Sequence, residues 1–373
     1  MLHVNAGNLY GGVERILATY VSARSLCPEM VPEFALAFRG RSGDELHALG
    51  AQVHYVGPVR ASRPLSVWRG RRAFRELLAT RRYDAVVCHS AWPQAVYGPE
   101  VRRAGFTSVV CVHAVTEGRH WTERWARRSR PQHALCLSHD VANSGASVIY
   151  PGVPQTVMYA PMPSPGPVLA PADRDALRGA AGAGPDDTMI LQVGRMDPLK
   201  GHSAHIQALG ALRNTAGWVC AMVGGAQRPE EEEYQAGLQR MAREVGVGDR
   251  VRFLGERRDV AQLMQAADIF CQPNAWSEGL SIVWMEAFQA GLPIVSVAVG
   301  TAPEFIGDRA GVLVPPDDVG ALSAALARLV EDGATRRAMG DEGRKRVHEL
   351  CDQATQIRKL HGFLAGLARV SPA

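Results

Sequence analysis

Short apolar runs alternate with longer amphipathic stretches along this chain, and the alternation occurs twice. In the first half, Leu2 to Ala6, Glu33 to Phe38, Gln52 to Val56, Asp84 to Cys88, Thr107 to Val112, Ala134 to Ser138 and Ser147 to Tyr150 read as strands, with helical segments between most of them. Runs so uniformly apolar fit strands covered on both faces, and strand–helix alternation places them in a parallel sheet. From Pro151 to Pro171 seven prolines break any periodicity, and a Gly/Ala segment follows through Gly184, so a partly ordered linker is expected there. The pattern then restarts, with strands at Thr188 to Val193, Trp218 to Val223, Arg250 to Phe253, Asp268 to Gln272, Pro293 to Val297 and Gly311 to Val314. Ala321 to Val330 and Thr335 to Leu367 carry helical spacing. The fold class is therefore α/β, with two doubly wound domains facing one another across a cleft. Ligands of such sheets bind beyond the carboxyl ends of the strands.

Length and composition agree with that division. A chain of 373 residues exceeds what one core supports, and 46% apolar with 21% charged residues is the balance of a globular chain. No basic leader with a long apolar core opens the sequence, and no uncharged apolar stretch reaches the roughly 18 residues of a membrane span. The expected localisation is cytoplasmic. The seven cysteines lack CxxC spacing and mostly sit in apolar runs, which predicts buried reduced thiols rather than disulfides or a zinc site. The net charge of +4 is unevenly spread. Residues 1–150 hold 19 Arg, no Lys and 11 acidic residues, whereas the remainder has 22 basic against 26 acidic residues. No zinc-finger, RNP or helix-turn-helix signature accompanies the arginines, which excludes a nucleic-acid reading.

Candidate chemistry sits at three strand ends. After the first strand, Gly11 and Gly12 open a helix, where glycines let backbone N–H groups approach a phosphate. The same glycines could serve only a tight turn. After the first strand of the second half, Gly194-Arg195-Met196-Asp197-Pro198-Leu199-Lys200-Gly201 places two cations where both reach one anion, although exposed Arg and Lys are often simply solvated. The third stretch runs from Pro273 to Val295. Its helix is expected to start near Gly279, leaving the amides of Gly279, Leu280 and Ser281 as an anion site, and to end at Gly291-Leu292-Pro293. Glu286 lies among Trp284, Met285, Ala287 and Phe288, where a buried carboxylate needs a partner. A vicinal diol such as a ribose would serve, as would an internal arginine. Glu278 either faces the ligand or caps the helix.

Together, Gly11-Gly12, Gly194-Arg195 with Lys200, the Glu-x7-Glu pair Glu278 and Glu286, and Gly311-Val312-Leu313-Val314-Pro315-Pro316 resemble the retaining GT-B glycosyltransferases of family four, group 1. The resemblance covers nearly the whole chain and is strongest from Gly194 to Pro316. It implies an enzyme that moves a hexosyl group from a nucleotide-diphosphate sugar to a hydroxyl acceptor, with a GT-B pair of Rossmann-like domains. The domains would be residues 1–165 on the acceptor side and 166–350 on the donor side, with 351–373 a helix returning to the first. Arg195 and Lys200 would neutralise the diphosphate, with no metal and no further cofactor, since no DxD-like acidic pair stands at a strand end. The amides of Gly279, Leu280 and Ser281 would add hydrogen bonds, Glu286 would hold the ribose, and Glu278 would face the donor sugar. Gly11 and Gly12 would cover the phosphates, and His113 matches the family's histidine near the transferred sugar. Ser281 stands where the family often has glycine, and Ala114 where an acidic residue often follows the histidine.

The acceptor side is carried by Leu65 to Arg82 and Arg119 to Arg130, where Trp68, Phe74, Trp121 and Trp125 lie among arginines. These stretches fit an aromatic platform in which Trp121 and Trp125 stack on an acceptor, a basic surface for anionic membrane, or apolar core faces backed by solvated arginine. A glycosyl phosphorylase or nucleotide-sugar epimerase, and a non-catalytic nucleotide-sugar-binding protein, are the competing functions. A ribose clamp at Glu286 speaks against the phosphorylase, and intact signature positions speak against the binder.

Overall fold

The computed structural model describes residues 1–226 and 228–370, and it divides into two compact units, Met1–Pro163 together with the helix from Cys351 onward, and Ser164–Leu350. Residues 371–373, part of the expected returning segment, lie outside the described residues.

In the first unit seven strands form one sheet in the order β3-β2-β1-β4-β5-β6-β7. They are β1 (Leu2–Asn5), β2 (Glu33–Leu36), β3 (Gln52–Tyr55), β4 (Ala85–His89), β5 (Thr107–Val112), β6 (His133–Cys136) and β7 (Gln155–Val157). In the second unit β8 (Thr188–Val193), β9 (Trp218–Val223), β10 (Val251–Gly255), β11 (Ile269–Cys271), β12 (Ile294–Val297) and β13 (Gly311–Val314) take the order β10-β9-β8-β11-β12-β13. Every pairing is parallel. Both units are thus Rossmann-like, with the first strand central and the chain winding outward on each side. The wholly buried β4, β5, β8, β9 and β12 explain the continuous apolar runs, because helices cover both of their faces. The seven cysteines are buried free thiols.

Three local expectations are corrected. Ser147 to Tyr150 is not a strand: Ser147–Ile149 is a helical turn continuing the helical path that starts at His139, and it buries Ile149 and Tyr150 against β5 and β6 residues. Packing overrides the β preference of Val, Ile and Tyr here. The seventh strand falls instead at Gln155–Val157, inside the proline-rich stretch read as linker, and pairs with β6. The Gly/Ala segment is likewise a helix, Pro171–Ala180, with Pro171 in its first turn, where no N–H is needed.

That helix is clasped to the second sheet. Arg178, 4% exposed, donates from Nη1 to Asp268 Oδ2 at 2.7 Å and to the Ala266 carbonyl at 2.9 Å, and from Nη2 to the Asp187 carbonyl. Asp268 Oδ2 also accepts from the Met189 amide at 2.8 Å. Arg178→Ala leaves the Ala266 and Asp187 carbonyls without this donor, while Asp268 keeps the Met189 amide and Arg174 at 3.3 Å, so the loss is expected to be about 1–3 kcal/mol, read as a lower denaturation midpoint. Unchanged stability would mean that the clasp contributes nothing.

Candidate active site

In the second unit the loop after β8 and the loop after β11 are bound to one another. The Ala275 amide donates to the Leu199 carbonyl at 3.0 Å. Gly201 has φ +72°, and a Cβ there would collide with the Pro273 carbonyl, so only glycine lets the two loops approach. Beneath them, Gln192 on β8 donates from Nε2 to the Lys200 carbonyl and accepts from His205 Nδ1, each at 2.8 Å. The backbone of Lys200 is therefore held from the core side.

This geometry brings Lys200 and Glu278 together: Nζ donates to Oε1 at 2.5 Å, and Asn274 Nδ2 donates to the other carboxylate oxygen at 2.9 Å. Gln272 Nε2 in turn donates to Asn274 Oδ1 at 3.0 Å. Arg195 donates to Glu231 at 2.9 Å and to Asp197 at 3.1 Å, while Asp197 also accepts from the Leu199 amide. Both cations expected to meet an anion already hold carboxylates, and both pairs are partly open to solvent. An incoming diphosphate would exchange for those carboxylates rather than find bare charge. Glu231 lies outside the three stretches singled out in the sequence and Asn274 inside the third without an assigned role; both reach the site only through the fold.

The third stretch needs a correction. Its helix begins at Ile282, with Ser281 in the extended N-cap position, and not near Gly279. Ser281 takes the cap position without a side-chain cap bond, and Gly279 disfavours helix, so the start slides by about one turn. Gly279, Leu280 and Ser281 form the loop before the helix, and its first-turn amides begin at Ile282. Gly291, at φ +80°, ends the helix in the left-handed conformation. Glu286 lies on this helix, 7% exposed. The Thr301 amide donates to the Glu278 carbonyl at 3.4 Å, tying this loop to the end of β12.

In the first unit Gly11 is the N-cap of Gly12–Ser22. Glu14 turns back so that one oxygen accepts from the Gly11 amide and the other from Asn5 Nδ2, each at 2.9 Å. Gly11 has an extended φ of −165°, and an added Cβ would meet only Glu14 Oε2 at 3.8 Å. The turn does not require glycine there. His113 follows β5 and is bonded to His89, at 3.0 Å. Trp121 and Trp125 stack at 6.3 Å between ring centroids. Trp121 is exposed, but Trp125 packs against both apolar clusters of the unit. Trp125 therefore has a packing role, which leaves Trp121 as the accessible ring.

Among the described residues, His89, Cys111 and His113 are a group whose ligand atoms lie within 4.8 Å of one another. The facing histidine nitrogens are already bonded to each other, and burial pushes the Cys111 thiol upward. The group is consistent with a hydrogen-bonded cluster without an ion.

The profile described as "Glycosyltransferase Family 4" matches residues 11–159, and that of "Glycosyl transferases group 1" matches residues 173–346. The chain belongs to the group 1, family four glycosyltransferases. A GDP-mannose-dependent monoacylated α-(1-6)-phosphatidylinositol monomannoside mannosyltransferase of Corynebacterium glutamicum is 26% identical over 364 residues, covering 90% of each chain. A D-inositol 3-phosphate glycosyltransferase of Kribbella flavida is 31% identical over 58% of this chain and 50% of its own length. The structure of Anabaena HepE, in complex with UDP and glucose, superposes with a TM-score of 0.84 at 19% identity, covering 98% of this chain and 99% of that one. The GT-B architecture of two Rossmann-like domains is shared. The chain is a glycosyltransferase.

Burial lowers the pKa of six histidines: His3 and His205 to about 3, His113 and His202 to about 4, His89 well below its ordinary value, and His133 downward as well. Below about pH 6.5 the unfolded chain takes up protons that the folded chain refuses, so stability falls with pH. Each histidine adds a slope of up to about 1.4 kcal/mol per pH unit. Denaturant titrations at pH 7.5 and 5 are expected to show this loss, with the decline beginning near 6.5; equal midpoints would contradict it.

Proposed function

We propose that this glycosyltransferase moves a hexosyl group from a nucleotide-diphosphate sugar to a hydroxyl-bearing acceptor with retention of anomeric configuration. The observation that carries the reading is the Lys200–Glu278 pair, fixed at the carboxyl edge of the second sheet beside Arg195. Lys200 and Arg195 would release their carboxylates to the donor diphosphate and stabilise the charge of the leaving phosphate. Glu278 would then turn to the donor sugar, Glu286 would hold the ribose, and the loop Gly279-Leu280-Ser281 would line the phosphates. Gly11, where the fold tolerates a side chain, and Gly12 would leave room for the donor. The acceptor oxygen would attack from the face the nucleotide leaves, with the departing phosphate taking its proton. Catalysis is then positioning and electrostatics.

The names of the relatives support an acceptor of the inositol or glycolipid type. We assign acceptor binding to the first unit, and to the cytosolic face of an anionic membrane. Seven buried free thiols suit a reducing compartment, and exposed Leu65, Trp68 and Trp121 stand among arginines. Among the described residues no helix is long and apolar enough to cross a membrane. Leu65, Arg63 and Arg69 also line a surface hollow of about 760 Å³ beside the end of β3, with room for part of a lipid.

Thermal stabilisation by UDP-, GDP-, ADP- and dTDP-sugars identifies the donor, since a ligand at 100 times its Kd adds about 2.7 kcal/mol. Because Lys200 already holds a carboxylate, Lys200→Ala is expected to weaken nucleoside-diphosphate binding by only about tenfold, the effect of one net hydrogen bond. Glu278→Gln frees the same lysine, and is expected to tighten binding of the free diphosphate while lowering turnover. Calorimetry that finds Glu278→Gln weaker and Lys200→Ala unchanged would refute the exchange. For the surface, binding to phosphatidylglycerol vesicles is expected to fall with added salt and with Trp68→Ala. Binding equal to that on neutral vesicles excludes the membrane assignment.

A further inference from the structure

Three histidines cross the first sheet in a line. His3 on β1 pairs in register with Val87 of β4, and His89, two residues further, pairs with Cys111 of β5; His113 lies two residues beyond that. Steps of two keep all three side chains on one face of the sheet. Their rings are bonded head to tail: His3 Nδ1 to His89 Nε2 at 2.9 Å, and His89 Nδ1 to His113 Nε2 at 3.0 Å. The two end atoms, His3 Nε2 and His113 Nδ1, have no partner.

A neutral chain of three imidazoles holds three ring protons, and two of them occupy the internal bonds. The third sits at one end or the other. At the inner end it would lie on His3 Nε2, in a pocket where Tyr20 and Phe34 stack nearly parallel to the ring, at 29° and 22°. Both contacts are stacked ring on ring, so neither aromatic face offers an in-plane acceptor to that N–H. The Met1 ammonium also acts on this ring and disfavours further positive charge. A buried N–H without an acceptor is rarer than a bare acceptor. At the outer end the proton lies on His113 Nδ1, which also lacks a protein partner but belongs to a partly exposed residue at the carboxyl edge of the sheet, where a ligand can supply the acceptor that the enclosed His3 cannot find.

We propose that His3 and His89 are positioning residues that lock His113 as a neutral imidazole with its proton on Nδ1, so that it donates a hydrogen bond to a sugar or polyol hydroxyl and does not serve as a base. The hydroxyl ligand rests on the transfer reading above; the tautomer does not. For Nδ1 to accept a proton, both bonds must first reverse and bury an N–H on His3 beside Tyr20.

The full chain, labelled with ¹⁵N-histidine and measured without substrate at pH 7.5, reads the tautomer through long-range ring couplings. Expected are protons on Nδ1 of His3, His89 and His113. His89→Leu is expected to release His113 from that single state, and His89→Asn, whose amide can stand in for Nδ1, to restore it. On any sugar nucleotide that the wild type turns over, His89→Leu is expected to lower kcat about tenfold at unchanged donor affinity, with rescue by His89→Asn. A wild-type His113 protonated on Nε2, or a His113 tautomer unmoved by His89→Leu, overturns the lock. A lost tautomer at unchanged kcat overturns the donor role. If no sugar nucleotide is turned over, the transfer reading fails while the spectra still decide the lock.

Discussion

A parallel sheet covered by helices on both faces leaves its strands nowhere to put polar chemistry except at their ends. Both units obey this constraint, and it accounts for where the candidate functional groups stand. Arg195 and Lys200 follow β8, Asn274 and Glu278 follow β11, and His113 follows β5. Polar side chains admitted deeper inside, such as Gln192, His205 and His89, are bonded into rows that lead toward an edge. Burial makes those rows costly to break, and so it fixes what they support.

The site in the second unit is a set of charges that satisfy each other. Lys200 with Glu278, and Arg195 with Glu231 and Asp197, keep partly buried charges paired when no anion is present. Under the proposed function, the affinity for a diphosphate would be a difference between two sets of hydrogen bonds, which would favour a ligand that leaves after each turnover. Gly201 is the structural condition for this arrangement, because any side chain there would push the two loops apart.

Much of this was legible in the sequence, and the failures have physical causes. Strands buried on both faces announce themselves as apolar runs, and the partly exposed edge strands β3 and β10 keep enough apolar positions to be read with them, so β1 to β6 and β8 to β13 match the sequence reading within a residue or two. β7 is three residues long and sits among prolines, too short to outweigh them locally. Ser147 to Tyr150 has strand propensity but is drawn into a helical turn by the core beneath it. At Gly279, a glycine-to-serine step postponed the helix by three residues. The roles of Glu231 and Asn274 depend on contacts 36 and 4 residues away in sequence, which spacing alone does not announce. The histidine line is further from view, since it needs the register of three strands and sequence separations of 86 and 24 residues.

The helix Gln353–Val370 belongs to the first unit, where Ile357, Leu360 and Leu364 are buried and Phe363 meets His133 edge-on at 4.8 Å. The Met162 amide donates to the Cys351 carbonyl at 2.8 Å, so the chain leaves this unit and re-enters it at the same place. During synthesis the whole of 164–350 emerges between the two. The second unit can therefore complete its core first, while the first waits with the seat of its last helix uncovered. The seat of that helix, where Ile357, Leu360 and Leu364 pack, stays uncovered on the first unit for the time it takes to translate the second.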